Sequence, residues 1–175
     1  MGREYGDGLY ELARDEDLRP ELHDALMEIY DCVKAQPAFE RLLCSRAIER
    51  SERLKVVEET FGGRVHPYLV NFMKLLVEKE RFDYFEDCAK WFHTRYNEDY
   101  GIVEAHVTSA IALSEERRQA LKARLDEISG KNVSLICKVD PTVIGGVRVE
   151  MNGRRYDNTI QNRLDRLKQN FARSL

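Results

Sequence analysis

A chain of 175 residues, 43% hydrophobic and 34% charged, can bury a core for one or two domains and still face water. Its net charge of −3 gives no general pull toward nucleic acid or anionic lipid, and no run approaches the ~20 apolar residues that span a bilayer. The opening "MGREYGDGLYELARDED" carries charges where a signal peptide needs an apolar run. The pair Gly6-Asp7 stands where a myristoylation signal wants Ser or Thr, so the expectation is a chain kept in the cytosol.

Residues 1 to about 100 follow a helical period. Tyr5, Leu9, Leu12 and Ala13 form the first stripe. "LRPELHDALMEIYDCVKA" repeats it with Leu18, Leu22, Ala25, Leu26, Ile29 and Val33, and Pro20 is tolerated in the first turn. Pro37 opens the short helix "PAFERLLCS". A fourth helix is expected from an N-cap at Ser51, through Leu54 and Val57 to a stop at Gly62-Gly63. Pro67 starts "PYLVNFMKLLVEKE", and "RFDYFEDCAKWFHTRYNEDY" follows a break near Arg81. Six short helices with tight connections predict a compact bundle.

The fifth helix is apolar over too much of its surface. At about 100° per residue, Val65, Tyr68, Leu69, Val70, Phe72, Met73, Leu75, Leu76 and Val77 cover an arc of about 220°. A helix on the outside of a bundle needs a stripe of only ~100°. Either this helix is central, or part of its face awaits an amphipathic helix from another chain, and both can hold together.

Past Tyr100 the character changes. Of sixteen Phe, Tyr and Trp residues, only Tyr156 and Phe171 lie beyond it, so the second half has fewer large side chains for a core and is expected to be less stable alone. Gly101 marks the seam. "GIVEAHVTSAIALS" alternates as a strand. Ser114, followed by Glu115 and Glu116, caps a helix carrying Leu121, Leu125 and Ile128 and ending at Gly130. "NVSLICKVD" is a second strand, Pro141 forces a turn, and "GVRVEMNG" is a third strand. Asn152-Gly153 is a strong hairpin signal leading to "RRYD". A last helix from Thr159 to about Arg173 carries Ile160, Leu164, Leu167 and Phe171 on a narrow stripe. The fold class is therefore mainly α: a six-helix bundle over residues 1–101, then a smaller α/β domain over residues 102–175.

The pair Gly145-Gly146 tests for chemistry. Phosphate cradles join a strand to a helix N-terminus, whereas this pair leads into an alternating strand and a hairpin. No Gly-Lys-Ser/Thr and no Gly-x-Gly-x-x-Gly accompanies it, so the pair serves a positive φ or close packing. Cys32, Cys44, Cys88 and Cys137 lie far apart without a C-x-x-C, which argues against a disulfide framework. His23, His66, His93 and His106 are equally scattered, with no zinc or nucleophile motif. No catalytic residue, metal or cofactor is expected. The stretch from Arg154 to Leu175 is locally basic, and suits a solvated helix face or an acidic protein partner better than nucleic acid.

"DPTVIGGVRVEMNGRRYDNTIQNRLDRL" resembles the C-terminal signature of the delta subunit of F-type ATP synthases, the family of the mitochondrial oligomycin-sensitivity-conferring protein. "LLVEKERF", Leu75 to Phe82, is similar to the family's junction between its last two N-domain helices, and "GIVEAHVTSAIALSEE" to its domain-joining strand. The likeness covers essentially the whole chain. Two positions depart from it: Asn158-Thr159 replaces the usual Gly-Ser, and Ala112 stands where relatives often have Pro.

The resemblance implies a non-catalytic stator that joins the alpha/beta catalytic head to the b-subunit peripheral stalk and so couples proton-driven rotation to ATP synthesis. It implies alpha subunits and b subunits as partners, no nucleic acid, and membrane association only through the complex, at the cytoplasmic face of a bacterial plasma membrane. Combined with the apolar stripes, it implies an alpha-subunit surface at Tyr5, Leu9, Leu12, Tyr68, Leu69, Phe72, Met73 and Leu76, though Leu9 and Leu12 suit the core better than a surface. Val147, Val149, Leu164, Leu167 and Phe171 are the stalk candidates, and Gly145, Gly146, Asn152, Gly153 and Asn158 serve as turns. Binding of an alpha-subunit peptide is expected to perturb the single Trp91. A free-standing adaptor for another amphipathic helix is the alternative.

Overall fold

The computed structural model describes residues 2–143 and 145–157; the expected last helix, with Asn158, Leu164, Leu167 and Phe171, lies outside them. Contacts divide the chain into two units, residues 1–99 and 100–175. The protein is mostly helical with a small four-stranded sheet, and the described residues hold seven α-helices.

Six of those helices make up the first unit: α1 (Gly2–Asp15), α2 (Arg19–Ala35), α3 (Pro37–Cys44), α4 (Arg50–Phe61), α5 (Pro67–Glu78) and α6 (Phe85–Asp99), the last preceded by a 3₁₀ turn at Phe82–Tyr84. The proline starts at α2, α3 and α5 fit their place in the first turn, where the missing N–H has no partner to lose. Leu22, Leu26, Ile29 and Val33 turn inward from α2 at helical spacing. They meet Leu69, Met73, Leu76 and Val77 of α5 and Phe85, Ala89 and Phe92 of α6 in one continuous core.

Two helices differ from expectation. The buried face of α1 is Gly2, Gly6, Leu9, Tyr10 and Ala13: Leu9 and Ala13 of the expected stripe are in it, whereas Tyr5 is half-buried and Leu12 is 37% exposed. The reason is close approach to α6. A methyl group at Gly6 would lie 3.0 Å from the Cys88 carbonyl oxygen and 3.1 Å from Trp91 Cδ1, so α6 sits almost against the α1 backbone. Helix α4 begins at Arg50, with Glu49 and not Ser51 at the N-cap and no capping side chain. Its start is held instead by Arg53, 3% exposed, whose Nη1 donates to the Leu43 carbonyl at the end of α3 at 3.1 Å. That bond satisfies one of the carbonyls a helix end leaves over.

The second unit contains β1 (Ile102–Ser109), α7 (Glu115–Ser129), β2 (Asn132–Val139), β3 (Val147–Met151) and β4 (Arg154–Asp157) in the sheet order β2-β1-β3-β4. Helix α7 is the crossover that lets β1 and β2 run parallel, while β3 and β4 pair antiparallel. Asp126 on α7 accepts the Val133 N–H at 2.6 Å, fixing where β2 starts. Ser114 occupies the N-cap position of α7 without a side-chain hydrogen bond. Val103, Ala105, Val107, Val133, Val149 and Met151 line the inner face with Leu125, as the period-two alternation requires.

Gly145 and Gly146 have φ of 85° and 89°, a region that a side chain makes costly, and they lead into β3. Asn152 and Gly153 also have positive φ, the geometry of a two-residue hairpin turn. Both glycine motifs are thus backbone devices.

Candidate functional site

Helices α1 and α5 leave an apolar groove of about 400 Å³ between them. Tyr5, Leu9 and Leu12 come from α1, and Tyr68, Phe72 and Leu75 from α5. Gly8 opens the α1 side, and a methyl group there would meet nothing within 4 Å. Leu12 and Leu75 face it at 37% and 38% exposure. These exposed large apolar side chains, gathered in one depression, make the groove the candidate site. The charged member of the lining is Glu4, with Asn71 as a second polar group.

The structure divides the expected head-binding residues. Tyr5, Leu9, Leu12, Tyr68 and Phe72 line the groove, and of these Leu9 and Phe72, 4% and 7% exposed, also belong to the core. Leu69, Met73 and Leu76 are 0%, 1% and 0% exposed and belong to the core, because α5 is both the central helix and the groove wall. Gly8, Asn71 and Leu75 were missed. Leu75 lay within the apolar arc, whereas Gly8 and Asn71 carry no hydropathy signal. Trp91 does not line the groove: it sits on α6, and its Nε1 donates to Asp7 at 2.7 Å.

The groove's inner wall is held by polar contacts behind α1. The Tyr10 hydroxyl donates to Asp99 Oδ2 at 2.7 Å, and Arg19 approaches the same carboxylate at 3.9 Å. Burial first, and then the Asp99 carboxylate, push the Tyr10 hydroxyl up to about 12. The Tyr10 ring meets Phe92 edge-on at 5.1 Å, with the Arg95 guanidinium 5.6 Å from its centre. These contacts orient a helix.

In the second unit, Val149 is buried opposite Val107 and Val147 is half-buried opposite Ser109. Val149 is therefore a core residue. Among the described residues of this unit, the exposed large apolar side chains are Tyr100, Ile111, Ile128, Ile136, Val139 and Tyr156; the expected stalk residues Leu164, Leu167 and Phe171 lie outside the described residues. Arg148 pairs with Asp157 at 3.0 Å and Arg155 with Glu150 at 3.4 Å, so part of the basic stretch is spent in cross-strand ion pairs. Among the described residues no group of three or more His, Cys, Asp or Glu could hold a metal, and no helix is long and apolar enough to cross a membrane.

The family model described as "ATP synthase delta (OSCP) subunit" matches residues 1–171. The ATP synthase subunit delta of Desulfitobacterium hafniense is 33% identical over 172 residues, 98% of this chain and 96% of that protein. The subunit delta of Alkaliphilus oremlandii is 30% identical over 175 residues, 100% of this chain and 97% of its own length. A chain of the Toxoplasma gondii mitochondrial ATP synthase hexamer shares the fold, with a TM-score of 0.74 at 16% identity over 98% of this chain and 97% of that one. On this full-length agreement the chain belongs to the ATP synthase delta (OSCP) subunit family, and it is a non-catalytic stator component of the F-type ATP synthase.

Proposed function

We propose that the two units divide the stator's work, the six-helix bundle of residues 1–101 gripping the alpha subunits of the catalytic head and the α/β domain of residues 102–175 gripping the b subunits of the stalk. The observation that carries the first half is the α1–α5 groove, with Leu12 and Leu75 exposed along it. Its size and apolar lining suit the hydrophobic face of an amphipathic helix. A joint that resists torque needs slow dissociation, which buried apolar anchors provide better than rim charges. In the second unit the exposed Ile111, Ile136 and Val139, with half-buried Val147, support a stalk-facing surface. The bacterial delta subunits among its relatives support the cytoplasmic face of a bacterial plasma membrane, with attachment through the complex.

Calorimetric titration of the full chain with a peptide copying the cognate alpha-subunit N-terminus tests the reading. Saturable binding, weakened by changes at Leu12 and Leu75, is expected; absence of saturable binding refutes the groove assignment. Co-purification with the alpha and b chains separates this role from a free-standing adaptor.

A further inference from the structure

Helix α1 holds three glycines, and packing explains two of them. A methyl group at Gly2 would lie 2.8 Å from Asp87 Cβ, and one at Gly6 3.0 Å from the Cys88 carbonyl oxygen, so α6 excludes side chains there. At Gly8 a methyl group would meet nothing within 4 Å. Alanine in a helix interior is favoured over glycine by roughly four- to fivefold in the folding constant. The bare position therefore gives up stability without making room for any contact in the described chain. Its open side is the α1–α5 groove.

Besides Glu4, the α1 residues lining that groove are Tyr5, Gly8, Leu9 and Leu12, and the α5 residues are Tyr68, Asn71, Phe72 and Leu75. Both sets fall at i, i+3, i+4 and i+7. Residues three and four apart are neighbours on a helix surface, so each set closes a four-cornered hole of the kind that receives one side chain from a packed helix. The two holes match corner by corner. Each has a half-buried tyrosine at one end and at the other a leucine, 37% exposed in Leu12 and 38% in Leu75. Leu9 and Phe72 are the buried floors. The fourth corners differ. On α5 it is the exposed amide of Asn71, and on α1 it is Gly8, which leaves the corner empty and the hole deeper.

We propose, on the reading that an alpha-subunit helix fills this groove, that Gly8 is the residue that selects it: a socket for one large apolar side chain of that helix. A second apolar side chain of the same helix, three or four positions away, enters the hole between Tyr68 and Leu75. That spacing is how one helix addresses two others packed beside it. Among the described lining residues Glu4 is the one carboxylate, and there is no basic group. The occupant's edge over α1 therefore carries a lysine or arginine, which fixes the way round it lies. Size at one position, and not apolarity alone, becomes the criterion for binding.

Calorimetry of the full chain with a peptide copying the cognate alpha-subunit N-terminus, set beside Gly8→Ala and Gly8→Leu, tests the socket. In urea the folding constant is expected to rise roughly four- to fivefold for Gly8→Ala and not to fall for Gly8→Leu, since leucine is also a good helix former. Peptide binding is expected to move the other way, weakening about tenfold or more for Gly8→Leu, because overfilling a packed site is costly. Neither a damaged fold nor a neutral surface position produces that opposition. Peptides with each large apolar residue trimmed to alanine in turn complete the test. One of them is expected to bind the Gly8→Leu chain more tightly than the untrimmed peptide does. Equal affinity of wild type and Gly8→Leu for the untrimmed peptide overturns the socket and leaves the groove assignment standing, whereas no binding by wild type overturns both. Wild-type self-association that Gly8→Leu abolishes, read by light scattering, would make the occupant a second copy of the chain and also overturn the proposal.

Discussion

Tyr10→Phe isolates one bond in the wall behind the groove. The ring stays in place: its edge-on contact with Phe92 at 5.1 Å and the Arg95 guanidinium at 5.6 Å do not involve the hydroxyl. What is lost is the 2.7 Å bond to Asp99. A hydrogen bond to a charged group contributes about 1.5–3 kcal/mol net. Asp99 is 36% exposed and keeps Arg19 at 3.9 Å, which places the loss at the lower end, about 1.5 kcal/mol. For a unit of roughly a hundred residues that is a drop of about 6–12 °C in Tm. Thermal unfolding of the full chain at pH 7, followed by Trp91 fluorescence, measures it.

The pH dependence has a fixed sign. Folded Tyr10 keeps its proton up to about 12, whereas an unfolded tyrosine loses it near ~10. The wild-type advantage is therefore complete below about pH 10 and shrinks as pH rises from there toward 12. A Tyr10→Phe chain that melts within 1 °C of wild type at pH 7, or a difference that grows between pH 10 and 11, would refute the account.

Three further outcomes follow from burial. Leu12→Ser with Leu75→Ser should weaken binding of the alpha-subunit peptide; because each side chain is already about two-thirds buried, the pair also costs about 2–4 kcal/mol of folding stability, so binding is compared at a temperature where both chains are folded. Each side chain has about a third of its burial still to gain, or about 0.5–1 kcal/mol, so the pair is expected to cost roughly 5- to 30-fold in Kd by calorimetry. Met73→Ala, in the core at 1% exposure, should instead cost about 2–5 kcal/mol of folding stability, read in urea. Among the cysteines, burial pushes the Cys88 thiol up to about 11, and it is buried while Cys32 and Cys137 are exposed. A disulfide reagent at pH 8 should modify Cys32 and Cys137 promptly and Cys88 only in denaturant; prompt reaction of all four would refute its burial.

Most elements were legible because hydropathy period and punctuation agree. Pro37, Pro67 and Gly130 mark ends that the structure keeps, and the alternation of Val103, Ala105 and Val107 matches their burial. What escaped was packing that carries no hydropathy. Gly6 is the contact surface of α1 because it lacks a side chain, so a stripe counted in apolar letters selects Leu12 over Tyr10. At α4 a buried arginine sets the first turn, and Ser51, a good cap on local grounds, is overruled by a contact made from Arg53. The groove was half visible: the excess arc of α5 announced a surface, but only the packing separates exposed Leu75 on its rim from Met73 and Leu76 behind it. His23 and His93, whose ring nitrogens lie 2.7 Å apart, looked scattered because proximity between helices leaves no trace in spacing along the chain.

The glycine-mediated seam between α1 and α6 bears on how force would pass through this protein. Long side chains at a helix contact can switch rotamers and yield under load, but at Gly6 the backbone of α1 rests within a methyl's reach of the Cys88 carbonyl. Pull applied at the groove would enter α6 through peptide groups already in contact, with little slack to take up first. In a part that must hold still while a rotor turns, the smallest residue in the helix is the one that makes the joint stiff.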